Sequence, residues 1–212
     1  MEKNGSDYYR PLEAGLMQIF SRPKKILDLC TGTGFSAFKI SAAFPSSSID
    51  AIDQITEMLD IARKQAHENN INNIQFKIGN AAELNYENAQ FDLIVTSNAP
   101  IYLSEAARVL KDEGLLLVVF SFSGDAFMNS KVNIAEYLND EGILLLDMKS
   151  EGAGVYILGQ KGRLNGNKKV AGTSFSLPSS TPGNFPEAFL REFCFPSQCE
   201  FSYRFQPAPK NS

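Results

Sequence analysis

The chain has 212 residues, 43% of them hydrophobic, with 20 basic and 24 acidic side chains and a formal net charge of −4. That is enough apolar material for one full core, while no apolar stretch approaches the roughly 18 residues of a membrane span. Three cysteines without metal-ligand spacing and a single histidine argue against a disulfide framework and against a zinc site. The polar start Met1-Glu2-Lys3-Asn4-Gly5-Ser6 lacks the apolar core of a signal peptide, so a cytoplasmic, metal-free protein with no membrane partner is expected.

Ile26, Leu27 and Leu29 form the first apolar run, a strand around 25–30 with Asp28 inside it. A carboxylate in a buried strand is costly unless something polar meets it. Gly32-Thr33-Gly34 follow where the pattern turns helical, and two glycines so spaced allow a tight turn and a close backbone approach to a ligand. Ala37, Ile40, Ser41 and Phe44 then line one helix face, stopped by Pro45. Ser48 to Asp53 read as a second strand, followed by a helix from about Thr56 with Ile55, Met58, Leu59, Ala62 and Ala66 on its apolar face. His67 falls on the polar side of that helix, away from any pocket. Further strands are expected around 74–78, 91–97, 115–122, 143–148 and 154–160. Leu103, Ala106, Ala107 and Leu110 mark a helix that ends near Gly114. The run Leu115 to Phe120 is continuously apolar, as a strand covered on both faces should be. Strands alternating with helices predict right-handed crossovers and a doubly wound α/β sheet. Only Ser150 to Ala153 separate the last two strands, which predicts a hairpin.

Residues 1–162 form the expected domain and residues 163–212 a separate extension. The extension holds six basic and three acidic residues, leaving about −7 on the domain out of a total of −4. An acidic domain without a basic stripe argues against nucleic acid as partner. Gly162 to Gly183 read as a linker. Phe185, Phe189 and Phe193 then share a helical face, and Cys199, Phe201, Tyr203 and Phe205 alternate with polar residues as in a strand. Such a segment either docks on the domain or serves as a lid, a homo-oligomer contact or a contact for a partner subunit.

In open parallel sheets, ligands bind beyond the carboxyl ends of the strands. Strand, acid, Gly-x-Gly and helix describe a nucleotide-type pocket there, and Asp53 is placed either to accept from a ribose diol or to cap its helix. Gly32 to Ala37 also satisfy the dinucleotide pattern G-x-G-x-x-G/A with an acid about 20 residues on, which admits a nicotinamide cofactor.

The stretch Ile26 to Gly34 resembles motif I of the class I S-adenosylmethionine (SAM)-dependent methyltransferases, D/E-x-G-x-G-x-G. Asp28 matches the acid, Gly32 and Gly34 the later glycines, and Cys30, a small residue, stands where the first glycine usually is. Ile49 to Leu59 resemble the second segment, with Asp53 as the ribose-binding acid. Ile74 to Ala81 resemble the third, with Gly79-Asn80-Ala81 for the usual Gly-Asp-Ala. Phe91 to Val95 resemble the fourth strand, and Glu105 to Lys111 with Gly114 the helix and turn before the fifth. The resemblance covers about residues 24–162 in order. It implies a Rossmann-like, seven-stranded, mainly parallel sheet with an antiparallel last strand and helices on both faces.

The resemblance also implies SAM as cofactor and in-line methyl transfer, in which the protein chiefly positions donor and acceptor. Asp28, Cys30, Thr31, Gly32, Thr33 and Gly34 would meet the methionine moiety, and Asp53 the ribose. Gln54, Met58, Asn80 and Ala81 would meet the adenine, Asn80 through its carbonyl oxygen. Thr96, Ser97 and Asn98 would lie between cofactor and acceptor. Asn98-Ala99-Pro100-Ile101-Tyr102 partly resembles the N/D-P-P-Y motif of amino-group methyltransferases, with Ala99 replacing a proline and Ile101 inserted. It makes Asn98 and Tyr102 the candidates for a catalytic role that is otherwise unassigned. Tyr8 and Tyr9 either reach over the cofactor or cap the sheet. The expected function is methyl transfer to a small-molecule or protein acceptor. The alternatives are a non-catalytic SAM-binding partner subunit and an NAD(P)-dependent oxidoreductase.

Overall fold

Every parallel strand of this chain delivers its carboxyl end to the same edge of one sheet, and that edge carries the candidate site. A computed structural model describes residues 5–163, all within one compact unit. The helix expected over Phe185 to Phe193 and the strand over Cys199 to Phe205 lie outside the described residues.

Elements follow the order α1 (Gly5–Met17), β1 (Lys25–Leu29), α2 (Phe35–Ala43), β2 (Ser48–Asp53), α3 (Thr56–Glu68), β3 (Ile74–Ile78) and β4 (Phe91–Ser97), continuing with α4 (Leu103–Val109), β5 (Leu110–Phe120), α5 (Gly124–Asn129), α6 (Lys131–Asp140), β6 (Ile143–Glu151) and β7 (Gly154–Lys161). The seven strands lie in the order β3-β2-β1-β4-β5-β7-β6. β7 runs antiparallel to both β5 and β6, and the other strands share one direction. The expected hairpin is β6–β7, and its second strand is the one inserted beside β5. Chain order reverses between β1 and β4, which makes their shared carboxyl end the topological switch point.

Alternation places Ile26, Ile49, Leu93, Val95, Leu117, Val119, Tyr156 and Leu158 on one face, packed with Leu12 and Leu16 of α1 and Ile40 of α2. Burial of these side chains holds α1 across β5 and β7. Gly15 allows that approach, because a Cβ there would come within 2.7 Å of Leu117 Cδ1.

One boundary differs from the expectation. The apolar spacing puts Leu110 on the helix and starts the strand at residue 115, but α4 ends at Val109 and β5 begins at Leu110. Leu110 pairs with Phe91, and the backbone N–H groups of Ala89 and Gln90 donate to the carbonyls of Arg108 and Val109. Pairing with β4 overrides the helical spacing.

Candidate active site

The glycine turn is built by backbone geometry that few residues adopt. Cys30, Gly32 and Gly34 all have positive φ (56°, 56° and 89°). The Thr31 N–H donates to the Ile52 carbonyl at 2.9 Å, and the Gly34 N–H to the Thr31 carbonyl at 2.9 Å. The two glycines serve different ends. A Cβ on Gly34 would meet Ala62 Cβ at 2.9 Å, Phe38 at 3.0 Å and Phe76 at 3.2 Å, so this glycine lets α2 and α3 close on the sheet. A Cβ on Gly32 would meet only Met58 Sδ at 3.7 Å, so its outer side is open. Cys30 occupies the left-handed region with a side chain, a conformation that costs about 1–2 kcal/mol. The motif's usual glycine avoids that strain.

Asp28 is fully buried at the base of the turn. Its Oδ2 accepts from Ser36 Oγ at 2.6 Å, whereas its Oδ1 has no hydrogen-bond partner. Burial drives its pKa up to about 6, and the charge of Asp53 adds to the rise. Hydrogen bonds from Ser36 and the Ala37 backbone pull it back, and the Thr31 hydroxyl acts in the same direction electrostatically without meeting hydrogen-bond geometry. The hydroxyls of Thr31 and Thr96 are likewise buried without a partner. Natural structures satisfy nearly all such groups. Three such oxygens lie on the adjoining carboxyl ends of β1 and β4.

Asp53, ending β2, accepts the Gly32 N–H at 2.8 Å on one oxygen and the Ile55 N–H at 3.0 Å on the other. It thus braces the glycine turn against Ile55, the residue that leads into α3, without capping the helix. A carboxylate offers about four lone-pair directions, so each oxygen retains capacity for a diol. Beside it, Gln54 Nε2 donates to Asn80 Oδ1 at 3.1 Å, and the Ala82 N–H donates to the same oxygen at 3.0 Å. Asn80 Oδ1 is thereby saturated, and its Nδ2 makes no hydrogen bond among the described residues. Asn80 Nδ2 thus stands as an available donor beside an oxygen that already accepts two hydrogen bonds. Ala81 is buried, Met58 half-buried and Thr33 exposed.

At the end of β4, Asn98 is in the left-handed region (φ 54°), and beyond β5 so is Ser123 (φ 57°). Strained non-glycine residues cluster at functional sites. Here three of the six such residues described, Cys30, Asn98 and Ser123, follow β1, β4 and β5. Asn98 binds Ser121 twice: its Oδ1 accepts the Ser121 N–H at 2.7 Å and its Nδ2 donates to Ser121 Oγ at 2.9 Å. Ser97 is half-buried beside it, 3.5 Å from the same Nδ2. Tyr102 stands exposed before α4 and forms no bond with Asn98, so these two candidates are not a pair. Tyr8 is held against Asn98 and Ser121, and Tyr9 stacks on Phe35 with ring centroids 3.4 Å apart. Sequence reasoning does not find Ser36 or Ser121: one is an ordinary first-turn serine and the other meets Asn98 only through strand pairing. His67 is exposed in the last turn of α3. A cleft of about 500 Å³ between α1 and α2, lined by Glu13, Leu16, Met17 and Phe44 among others, contains none of these groups.

Residues 26–114 match the sequence profile of a family described as a methyltransferase domain. A demethylmenaquinone methyltransferase of Lactococcus lactis is 37% identical over 102 residues, 44% of this chain and 40% of that protein. A release factor glutamine methyltransferase of Aliivibrio fischeri is 34% identical over 94 residues, 44% of this chain and 33% of that protein. The matches thus span less than half the length of these curated relatives. Among solved structures, a SAM-dependent methyltransferase from Aquifex aeolicus superposes with a TM-score of 0.61 at 17% identity, covering 74% of this chain and 93% of the other. That likeness concerns the fold.

Proposed function

We propose that this chain, whose residues 26–114 match a methyltransferase-domain family, is a class I methyltransferase that binds SAM at the glycine turn and transfers its methyl group to an acceptor. The observation that carries the reading is Asp28: a buried acid with a bare oxygen, beneath a glycine turn, on the strand end where the sheet's order reverses. SAM carries an ammonium and a sulfonium, and this donor set suits a cation. Bound SAM supplies a methyl group already activated by positive sulfur. The chain's own residues bind and orient it. Asp28 and Thr31, with the backbone of Cys30 to Gly34, would hold the methionine end. Asp53 would accept from the ribose hydroxyls. Gln54, Met58, Asn80 and Ala81 would frame the adenine, with Asn80 donating through Nδ2 to a ring nitrogen. Thr96, Ser97 and Asn98 would adjoin the methyl group. Alignment of this kind is worth up to about 7–11 kcal/mol of barrier. Residues 1–162 constitute the proposed catalytic domain and 163–212 an appended segment. The two relatives act on a demethylmenaquinone and on a release factor glutamine by name, so membership leaves small-molecule and protein acceptors both open.

Asp53→Ala tests the reading. SAM affinity should fall by roughly 1.5–3 kcal/mol, the value of hydrogen bonds to a charged group, in a protein that still unfolds cooperatively. An unchanged dissociation constant in the folded variant would refute the ribose role.

A further inference from the structure

The glycine turn and Asp53 assign the β1–β2 side of the crevice to the cofactor, which leaves the carboxyl ends of β4 and β5 to the methyl acceptor. The acceptor side is thus defined only if the cofactor reading holds. The segments that follow β4 and β5, residues 96–102 and 119–124, contain no Asp, Glu, Lys, Arg, His or Cys, and the β6–β7 turn beside them, whose Ala153 carbonyl accepts the Gly124 N–H at 3.0 Å, contributes Glu151. Asn98 has no amide atom to offer a substrate as its principal partner. Its N–H donates to the Val119 carbonyl at 2.8 Å, its Oδ1 accepts the Ser121 N–H and its Nδ2 donates to Ser121 Oγ. The residue is a bracket that locks the two loops together. Ser121 Oγ accepts from Asn98 and faces the Tyr8 hydroxyl. Tyr8 brings a second hydroxyl to the same place from α1, half-exposed, its ring edge-on to Tyr9 at 4.9 Å. Tyr9 in turn stacks on Phe35 next to the glycine turn, so α1 spans from the cofactor side to the acceptor side.

Charged groups near this end are directed elsewhere. Glu151 pairs with Lys149 at 2.5 Å, the charge of Arg10 on α1 also acts on Glu151, and Asp125, in the first turn of α5, is exposed. An anionic acceptor would lose water here without gaining a cation, and an ammonium acceptor would find no base for its proton. We propose that Tyr8 Oη and Ser121 Oγ bind the oxygen of an uncharged acceptor, a hydroxyl or carbonyl on an apolar body, with Asn98 as the positioning residue. Burial and the neighbouring Tyr9 raise the pKa of Tyr8, which keeps it protonated and therefore a donor.

The test compares three probes with one body: 2-naphthol, 2-naphthoate and 2-naphthylmethylammonium. Each is titrated into the full chain loaded with S-adenosylhomocysteine, with binding followed by saturation-transfer NMR. Naphthol should bind about tenfold more tightly than either charged probe. Tyr8→Phe and Ser121→Ala should each weaken naphthol roughly 3–10-fold, the value of one hydrogen bond. Both should leave the S-adenosylhomocysteine dissociation constant within twofold, which a general loosening of the fold would not. Naphthol binding no better than a charged probe, no naphthol binding at all, or a Tyr8→Phe variant indistinguishable from the parent would overturn the proposal. Failure of the parent to bind S-adenosylhomocysteine would instead remove the cofactor reading, and this inference with it.

Discussion

Asp28 concentrates the chemistry of the site in one side chain. Its proton leaves near 6 in the folded chain and near 3.8 when exposed, because burial disfavours the charge. Between those values the folded state holds the extra proton, so stability falls as pH rises from about 4 to 6. Above that window a penalty of about 3 kcal/mol is fully present. Asp28→Asn removes the penalty and should raise stability at pH 7.5 by up to about 3 kcal/mol, with little gain at pH 4. Urea unfolding at the two pH values checks this, and a variant less stable than the parent at pH 7.5 would contradict it. A cationic ligand beside the carboxylate reverses the preference. SAM affinity of the parent should therefore increase as pH rises through about 6, and that dependence should vanish in Asp28→Asn. Isothermal titration across pH 5 to 7.5 measures both. The acid itself is legible in the sequence, as a carboxylate among Ile26, Leu27 and Leu29. Its missing partner is not, since Ser36 reaches only one oxygen and that is a matter of side-chain geometry.

The turn between β1 and α2 does two jobs with two glycines. Gly34 sits where a methyl group would strike Ala62, Phe38 and Phe76, in addition to the strain of φ 89°. Gly34→Ala should destabilise the fold by about 2–4 kcal/mol. Gly32 lacks such neighbours, so Gly32→Ala carries the backbone strain alone, about 1 kcal/mol, and places its methyl group on the open side beside Met58. The first substitution should chiefly lower the unfolding midpoint and the second chiefly weaken SAM binding. Denaturant melts with parallel titrations separate them, and the opposite ranking would refute the division. Spacing alone announces the turn, but not which glycine faces the ligand. The misplaced element boundary has a similar origin. Leu110 fits the helical apolar face, yet pairing with Phe91 draws it into β5. The short helices α5 and α6 follow a strand end with no strong apolar period to announce them.

At the scale of the molecule, the doubly wound order is readable because strands buried on both faces leave continuous apolar runs separated by amphipathic helices. The Ile26 to Gly34 and Ser48 to Asp53 segments carry the proposed cofactor half of the site, since the acid and glycines of the first and the acid of the second each fall within a few residues. The acceptor half is hidden. Tyr8, Asn98 and Ser121 are far apart along the chain and meet only because α1 crosses β5 and β7 while β4 pairs with β5. Within the N/D-P-P-Y-like stretch, Asn98 is turned to Ser121 and not to Tyr102, a pairing across β4 and β5 that the local motif does not announce.

SAM binding at the glycine turn is the central proposal for this chain. Titrating the purified full chain in parallel with SAM, S-adenosylhomocysteine and NAD⁺ decides it. Saturable, micromolar-range binding of the first two is expected, with no binding of NAD⁺. Binding of NAD⁺ alone, or of none of the three, would rule the SAM site out.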